Sequence, residues 1–305
     1  MGQIHQLIKQ QGIDQARASS SDKLDRTCID TAYAVMSDEE QRIGIMHAGF
    51  AMTALPHKDL GPETVWIRHG GNIKLRIESG TDIEDNSVGI PFGSVARMIL
   101  LYLQTEAVRT RSRDIELGRS MNQWLCTMGI DNGGKTYRIV REQCKRLSLC
   151  RLTFYRSFSE ATLITNGSFV RDAIVPTKGD RDSQMTLWRE AVRLDESFYQ
   201  SLIEHPLPVL ETAIKQIGQR SAAIDVYIWL AYRLHRLEKP TPITWRAMFD
   251  QFGAGYQEVR FFRRKFHEPL ALALAAYPDA HVSMDETGVI LYPSPPPVRK
   301  RPALI

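Results

Sequence analysis

SMNQWLCTMGIDNGGKTYRIVREQCKRL, Ser120–Leu147, holds the spacing on which the fold turns. Met121, Trp124, Leu125 and Met128 recur at i, i+3, i+4 and i+7, the period of a helix with one apolar face. Gly129 to Gly134 predict a turn, and Lys135 to about Leu149 a second helix. At about 100° per residue, Val140, Cys144 and Leu147 gather on one side of that helix and Arg138, Arg141 and Lys145 on the other. Such a helix packs by its apolar side and offers cations on its outer side.

The stretch Gly129–Thr136, GIDNGGKT, also fits the nucleotide-binding pattern G-x-x-x-x-G-K-[ST]. A P-loop needs a buried strand to deliver the glycines to a helix N-terminus, where backbone N–H groups hold phosphates. Here a helical period precedes Gly129, and Asp131 would set a negative charge beside the phosphates. No strand ending in an acidic pair supplies a second magnesium ligand. The glycines read better as the turn of a helix-turn-helix.

Upstream, SDEE at Ser37–Glu40 has the form of a capping box and predicts a helix to about Leu55, with Ile43, Met46 and Phe50 on one face and Pro56 as its stop. VWIR and IKLRI around His69-Gly70-Gly71-Asn72 predict a hairpin. GSVARMILLYLQTEAVRT predicts a buried helix capped by Ser94, and RDIELG one short strand. Downstream, RLTFYR and TLITNGSFVRDAIV predict strands that turn through Asn166-Gly167. The charged, turn-rich linker at 176–184 marks a domain boundary.

After the linker the order of parts repeats. SAAIDVYIWLAYRLHRL at 221–237 predicts a helix, TPITW an extended piece, TWRAMFDQF a helix, Gly253-Ala254-Gly255 a turn, and Tyr256 onward a basic helix. On this last helix Val259, Phe262 and Phe266 face inward, while Gln257, Arg260, Arg264 and His267 share the opposite side. Pro269 removes one helical hydrogen bond and predicts a kink or break near His267. HVSMDETGVILYP closes with two strands about a turn at Glu286–Gly288. Helix, short strand, helix, turn, helix and β-hairpin is the order of a winged helix-turn-helix. The fold class is therefore α+β and helix-rich, with two tandem winged helix-turn-helix domains after an N-terminal arm. The expected divisions are a flexible arm at 1–36, a first winged-helix domain at 37–180, a second at 181–297, and a basic mobile tail at 298–305.

Charge follows the same map. Residues 133–156 hold seven cations and one acid, a net +6 in a chain whose net charge is +4, so the remainder sums to −2. In a helix-turn-helix the second helix enters the major groove with its early residues near base edges. Arg138 and Arg141 are accordingly assigned to bases, and Lys135, Lys145, Arg146 and the wing residue Arg151 to the phosphate backbone. Thr136 stands with Lys135 among the first residues of that helix, and Arg156 is a second cation on the wing.

Composition excludes other classes. With 43% hydrophobic and 24% charged residues the chain is neither disordered nor fibrous. Its longest apolar runs are too short to span a bilayer, and no leader precedes them, so a cytoplasmic protein is expected. Cys28, Cys126, Cys144 and Cys150 lack C-x-x-C spacing and read as reduced thiols. No two of the eight histidines flank one residue, which removes the metal site of a rolling-circle nuclease, and no G-x-S-x-G or H-E-x-x-H motif occurs. His57 and His69 read as surface residues, and Trp124, Trp229 and Trp245 as core. Neither catalytic residues nor a cofactor or metal is expected, and the chain is read as a DNA-binding protein, not an enzyme.

GIPFGSVARMILLYLQTEA, IELGRSMNQWL, GGKTYRIVREQCKRL, IDVYIWLAYRLH and FGAGYQEVRFFRRKF together resemble the plasmid-encoded RepA replication proteins of bacteria, from about residue 40 to Pro297. FRRKFHEPLALAL is similar to the second winged helix of iteron-binding plasmid initiators, which carries a proline in the corresponding place. The resemblance implies a plasmid replication initiator that binds repeats in double-stranded origin DNA, helps to open the duplex and recruits the host initiator and replicative helicase. It also implies repression of its own promoter and a homodimer through the first domain. Carried onto this chain, Arg260, Arg263 and Arg264 would supply the main base readout, with Arg138 and Arg141 or a dimer surface from the first domain. Two rivals stand beside it: a winged-helix transcriptional regulator without a replication role, and a P-loop ATPase using GIDNGGKT.

Overall fold

A computed structural model describes residues 2–118, 120–131, 133–172 and 191–298. The first elements are α1 (Gln3–Ala18), α2 (Lys23–Met36), β1 (Ile43–His47), α3 (Gly49–Met52), β2 (Val65–Gly70), β3 (Ile73–Glu78), α4 (Gly93–Thr110) and β4 (Asp114–Glu116). Next come α5 (Met121–Met128), α6 (Gly134–Leu149), β5 (Arg151–Ser157), β6 (Thr162–Ser168), β7 (Val170–Asp172), β8 (Ala191–Leu194), α7 (Glu196–Glu204) and β9 (Pro206–Leu210). The chain continues through α8 (Glu211–Gln216), α9 (Ser221–Arg233), a 3₁₀ turn at Leu234–Arg236, β10 (Thr241–Thr244), α10 (Trp245–Phe252), α11 (Val259–Ala275), β11 (Val282–Met284) and β12 (Gly288–Leu291). The mixture of helix and sheet is that of an α+β chain. The linker at 176–184, the boundary expected at 180/181 and all but the first residue of the tail expected at 298–305 lie outside the described residues.

The chain forms two compact units. A central unit takes Ile45–Gly49 and Thr53–Pro206; a terminal unit takes the residues up to Gly44, Phe50–Met52 and those from Leu207 onward.

In the central unit β2, β3, β5 and β6 make one antiparallel sheet in that order, and β4, β8 and β7 a second. The hairpin between β2 and β3 turns at Gly71-Asn72, where Gly71 has φ 59°, as its sequence predicts. Ile73, Leu75 and Ile77 alternate inward with Leu152 and Phe154 of the neighbouring strand, and all five are buried. At ~1.5–3 kcal/mol for each such side chain this row holds the sheet to its core. α4 is buried over most of its surface, polar residues included. Its Gln104 and Thr105 accept the N–H groups of His47 (2.6 Å) and Ile45 (2.9 Å), so buried polar atoms and the β1 backbone satisfy one another.

Three expectations fail in this region. The helix expected over 37–55 is replaced by the end of α2, β1 and the single turn α3. Asp38 Oδ1 accepts the N–H groups of Glu40 and Gln41, and Gln41 has φ 44°, so SDEE closes a turn after α2 instead of opening a helix. Asn166-Gly167 is no turn either: both residues lie inside β6, opposite Thr153 and Leu152, and the chain reverses at 158–161. A Cβ on Gly167 would lie 2.6 Å from Asp195 Oδ1, so close approach of backbone to the α7 cap explains the glycine.

The terminal unit gathers α1, α2, α8, α9, α10, α11 and the three-stranded sheet β10-β12-β11. Where a loose arm is expected over 1–36, Gln3–Ala18 and Lys23–Met36 form helices. α2 is capped by Asp22 and buries Cys28, Ile29, Ala32 and Val35, and His5 of α1 bonds the Ala275 carbonyl at 2.9 Å. A short polar stretch reads as an arm because its few apolar residues only make sense against α11. Trp229 and Trp245 are core here, as Trp124 is in the central unit. α11 runs unbroken through Pro269, so the chain does not break near His267, and it begins at Val259, so Gln257 precedes it.

The two halves share an element order: α4, β4, α5, α6, β5, β6 in one and α9, β10, α10, α11, β11, β12 in the other. Their sheets differ. β10 pairs with the hairpin strand β12, whereas β4 pairs with β8 and leaves β5 to β3.

Candidate nucleic-acid interface

In the central unit Ser120 caps α5 through the Gln123 N–H, and Gly129 ends it at φ 69°, a left-handed conformation that favours glycine. The Gly129 and Ile130 N–H groups close the helix on Cys126 and Leu125. The loop from Gly129 to Gly133 therefore joins helix to helix, and no strand delivers it. Trp124, Leu125 and Met128 are buried, as their spacing predicts.

α6 begins at Gly134 with Lys135 exposed in its first turn and Thr136 half-buried. Arg138 and Arg141 are exposed. Lys145 is half-buried and donates to Asp82 Oδ2 at 3.1 Å, a bond that holds the Asp82 carboxyl below its usual range.

Arg146 is a correction. Its side chain is 10% exposed, so it is no backbone contact. The guanidinium donates to both Asp59 oxygens at 3.0 Å, to Glu142 at 2.6 Å and to the Ile90 carbonyl at 2.9 Å, above the Phe92 ring. The buried side of α6 is Val140, Gln143, Arg146 and Leu147, with Gln143 Oε1 accepting the Phe92 N–H at 2.8 Å. The helical period places Arg146 beside Leu147 on the inner boundary, but a charge there reads as surface until its partner Asp59, far away in sequence, is known.

The wing cations diverge. Arg151 is exposed and sits across from Glu78, while Arg156 points to the inner side of the sheet and donates to His205 Nε2 at 2.9 Å. Sequence gave no warning of this inner cluster. Within the central unit a 260 Å³ pocket is lined by Arg156, His205, His47, Ser201 and Thr165. The Gly49 N–H donates to His47 Nδ1 at 3.0 Å, so the other ring nitrogen carries the proton toward Ser201 Oγ at 2.9 Å. Burial, then the His205 and Arg156 charges, push the His47 imidazole down to about 3. Its residues are spread from 47 to 205, which leaves no spacing to read.

The terminal unit repeats the helical pair with a more open face. Thr244 caps α10 through the Ala247 N–H, and Gly255 at φ 91° turns the chain toward α11. Phe262 and Phe266 are buried, and Arg260, Arg263, Arg264 and His267 are exposed. These four side chains line an open groove of 1020 Å³ between α11, the start of α10 and the turn between β11 and β12. Arg263 lies over the Trp245 ring at 5.6 Å, and Arg260 over Phe261 at 4.7 Å with Glu258 2.8 Å away. Gln257 is exposed just before α11.

The opposite wall of that groove is acidic. Asp285 accepts the Thr287 N–H and hydroxyl and the Gly288 N–H, and these bonds, Thr287's first, hold its carboxyl below the usual range. A carboxylate fixed at a hairpin tip repels phosphate, so of the two walls α11 is the one whose charge suits an anion.

Three of the four thiols, Cys28, Cys144 and Cys150, are pushed up to about 12, chiefly by burial, which makes them poor nucleophiles. Among the described residues no helix is long and apolar enough to cross a membrane.

The family model "Plasmid encoded RepA protein" matches residues 90–247, just over half of the chain. No curated protein matches it in sequence. The solved structure of domains 2 and 3 of RctB, a selenomethionine derivative, is similar with TM-score 0.51 and 12% identity, covering 83% of this chain and 99% of that one. A further structure of RctB domains 2–3 gives TM-score 0.47 and 12% identity over 79% and 93%. At such identity the first likeness is one of fold.

Proposed function

The chain belongs to the family of plasmid-encoded RepA proteins, and from that membership we propose that it is a plasmid replication initiator that binds repeats in double-stranded origin DNA through two winged helices. The observation that carries the reading is the face of α11, where Arg260, Arg263, Arg264 and His267 stand exposed beside an open groove. A helix of this length with cations along one side fits the major groove, and an arginine fork reads guanine in two hydrogen bonds. Trp245 and Phe261 brace two of the guanidinium groups, which lowers the entropy lost on docking.

α6 supplies the second contact in this reading, with Arg138 and Arg141 toward bases and Lys135 and Thr136 toward a phosphate at the helix N-terminus. Arg146 is set aside from the contact set, because its side chain is buried and ion-paired, and Lys145 is held by Asp82. Binding at two helices in the cytoplasm would be the first step toward opening the duplex and recruiting host replication proteins. Homodimerisation and self-repression belong to the same reading.

Footprinting on the DNA beside the gene, followed by titration of that site and of random duplex, tests it. Arg263→Ala and Arg264→Ala should each weaken specific binding and lower the salt slope by roughly 0.9 if the lost contact is a phosphate. Arg138→Ala or Arg260→Ala should cost ~1–3 kcal/mol on the specific site and relax discrimination there. An equal loss on random DNA would remove the base-reading role. A gene that binds its site but cannot maintain an otherwise non-replicating circle carrying it would be a regulator, not an initiator.

A further inference from the structure

The four-stranded sheet of the central unit has a second face, turned away from Ile73, Leu75 and Ile77. Residues directly opposite in an antiparallel ladder point to the same side, so the register orders that outer face. One row crosses all four strands as His69, Lys74, Tyr155 and Ile164. Arg76 stands two residues along from Lys74, with Asn166 two strands away in the same row as Arg76. In the row beyond, Arg151 lies opposite Glu78.

An outer sheet face is ordinarily an even mixture of polar residues, and this one departs from that pattern in two ways. Three cations share one carboxylate, and that carboxylate is already held by Arg76 at 2.8 Å. Apolar and aromatic side chains also stand among the cations: Ile164 is 52% exposed, Ile67 40%, and the half-buried Tyr155 ring has the Lys74 ammonium 5.1 Å from its centroid.

We propose that this face is a binding site for single-stranded DNA, with Tyr155 stacking on a base and Lys74, Arg76 and Arg151 holding the phosphates. Four strands spaced ~4.8 Å apart make a face wider than the ~12 Å major groove of unbent duplex, and stacked bases offer no open ring to Tyr155. A single strand supplies both: unstacked bases for the ring and flanking isoleucines, and a phosphate row for the cations. Asn166 is placed to bond a base edge. Lys74 needs only to swing its flexible stem from the ring toward a phosphate. The site goes beyond duplex binding by α11 and shares no residue with that helix. In an initiator it would hold one strand of an opened duplex against re-annealing.

The test uses the full chain and a fluorescein-labelled 12-nucleotide oligothymidine followed by anisotropy. Tyr155→Ala should raise Kd roughly 5- to 150-fold, the range measured for loss of one base stack, and Tyr155→Phe should restore it. Lys74→Gln with Arg76→Gln should lower the salt slope by about 0.7 for each lost phosphate contact. Specific duplex binding should be unchanged in the Tyr155→Phe and Lys74→Gln/Arg76→Gln proteins, whereas Arg263→Ala/Arg264→Ala should lose the duplex and keep the oligothymidine. Failure of the α11 variants alone would thus strike the duplex reading and leave this one standing. The proposal is overturned if oligothymidine does not bind, if both Tyr155→Ala and the Lys74/Arg76 variant bind it with wild-type affinity and salt slope, or if random duplex displaces it at equal concentration. Tighter binding of oligouridine would overturn DNA as the occupant, and equal competition by polyglutamate would reduce the face to a charge patch.

Discussion

Arg146→Ala separates two roles that a basic helix residue can play. The guanidinium is 10% exposed on the buried side of α6 and makes four hydrogen bonds, to Asp59 twice, to Glu142 and to the Ile90 carbonyl. Truncation leaves the Ile90 carbonyl without that donor, a cost of ~1–3 kcal/mol for a buried acceptor. Asp59 and Glu142 are 47% and 41% exposed, so water takes over most of their charge and the full penalty of a broken buried pair does not apply. Loss of the guanidinium over the Phe92 ring adds to the first figure, for a total of ~2–4 kcal/mol. Urea unfolding followed by tryptophan fluorescence should show a lower midpoint with little change in slope. The bond from Arg146 holds the Asp59 carboxyl below its usual range, so this contribution is present above the unfolded carboxylate value and is lost as pH falls through the folded one. Arg146→Ala should therefore also flatten the acid side of the stability profile. An unchanged midpoint together with a lost phosphate contact in the salt slope would refute the structural role and return Arg146 to the DNA.

Gly167→Ala should destabilise the central unit by about 1 kcal/mol or more, because its Cβ would displace Asp195 from the cap of α7; proteolysis between β6 and α7 would report it. His47 is neutral in the fold, with its imidazole pushed down to about 3 mainly by burial, while the unfolded side chain takes a proton near 6.5. Its contribution is full above about 6.5 and falls as pH drops toward 3, so His47→Gln should lose less stability than wild type between pH 7 and 4 in acid titrations. Pro269→Ala restores a helical N–H in α11 and should raise stability by up to about 3 kcal/mol, with duplex affinity unchanged; a lower melting temperature would mean that the proline shapes the helix.

Local order was legible wherever one period dominated. The apolar spacing of Trp124, Leu125 and Met128, the buried run in α4, the β2–β3 hairpin and the order of elements in each half all follow from i, i+3, i+4 repeats, strand alternation and glycine turns. The exposed cations of α11 were legible too, because Phe262 and Phe266 define its inner side and leave the arginines no other place. Expectations failed where a local signal had a competing tertiary use. SDEE has the letters of a capping box, yet Ile45 and His47 find their backbone partners on Thr105 and Gln104, and a strand wins. Asn-Gly has the letters of a hairpin turn, yet at Gly167 it is space for Asp195 that selects glycine.

The sequence by itself determined α4, α9, the two repeated helical pairs and the concentration of positive charge on their last helices, because these depend on residues within one or two turns of each other. Tertiary structure decided which charges face water. Arg138, Arg141 and Arg146 all lie on one basic helix, and Asp59, 87 residues from Arg146, together with Glu142 and the Ile90 carbonyl, draws the last of them inward. It also decided the sheets, since the pairing of β5 with β3 brings Lys74, Arg76, Tyr155 and Arg151 onto one face. Ladder partners and ion pairs join distant segments, and no local period encodes them.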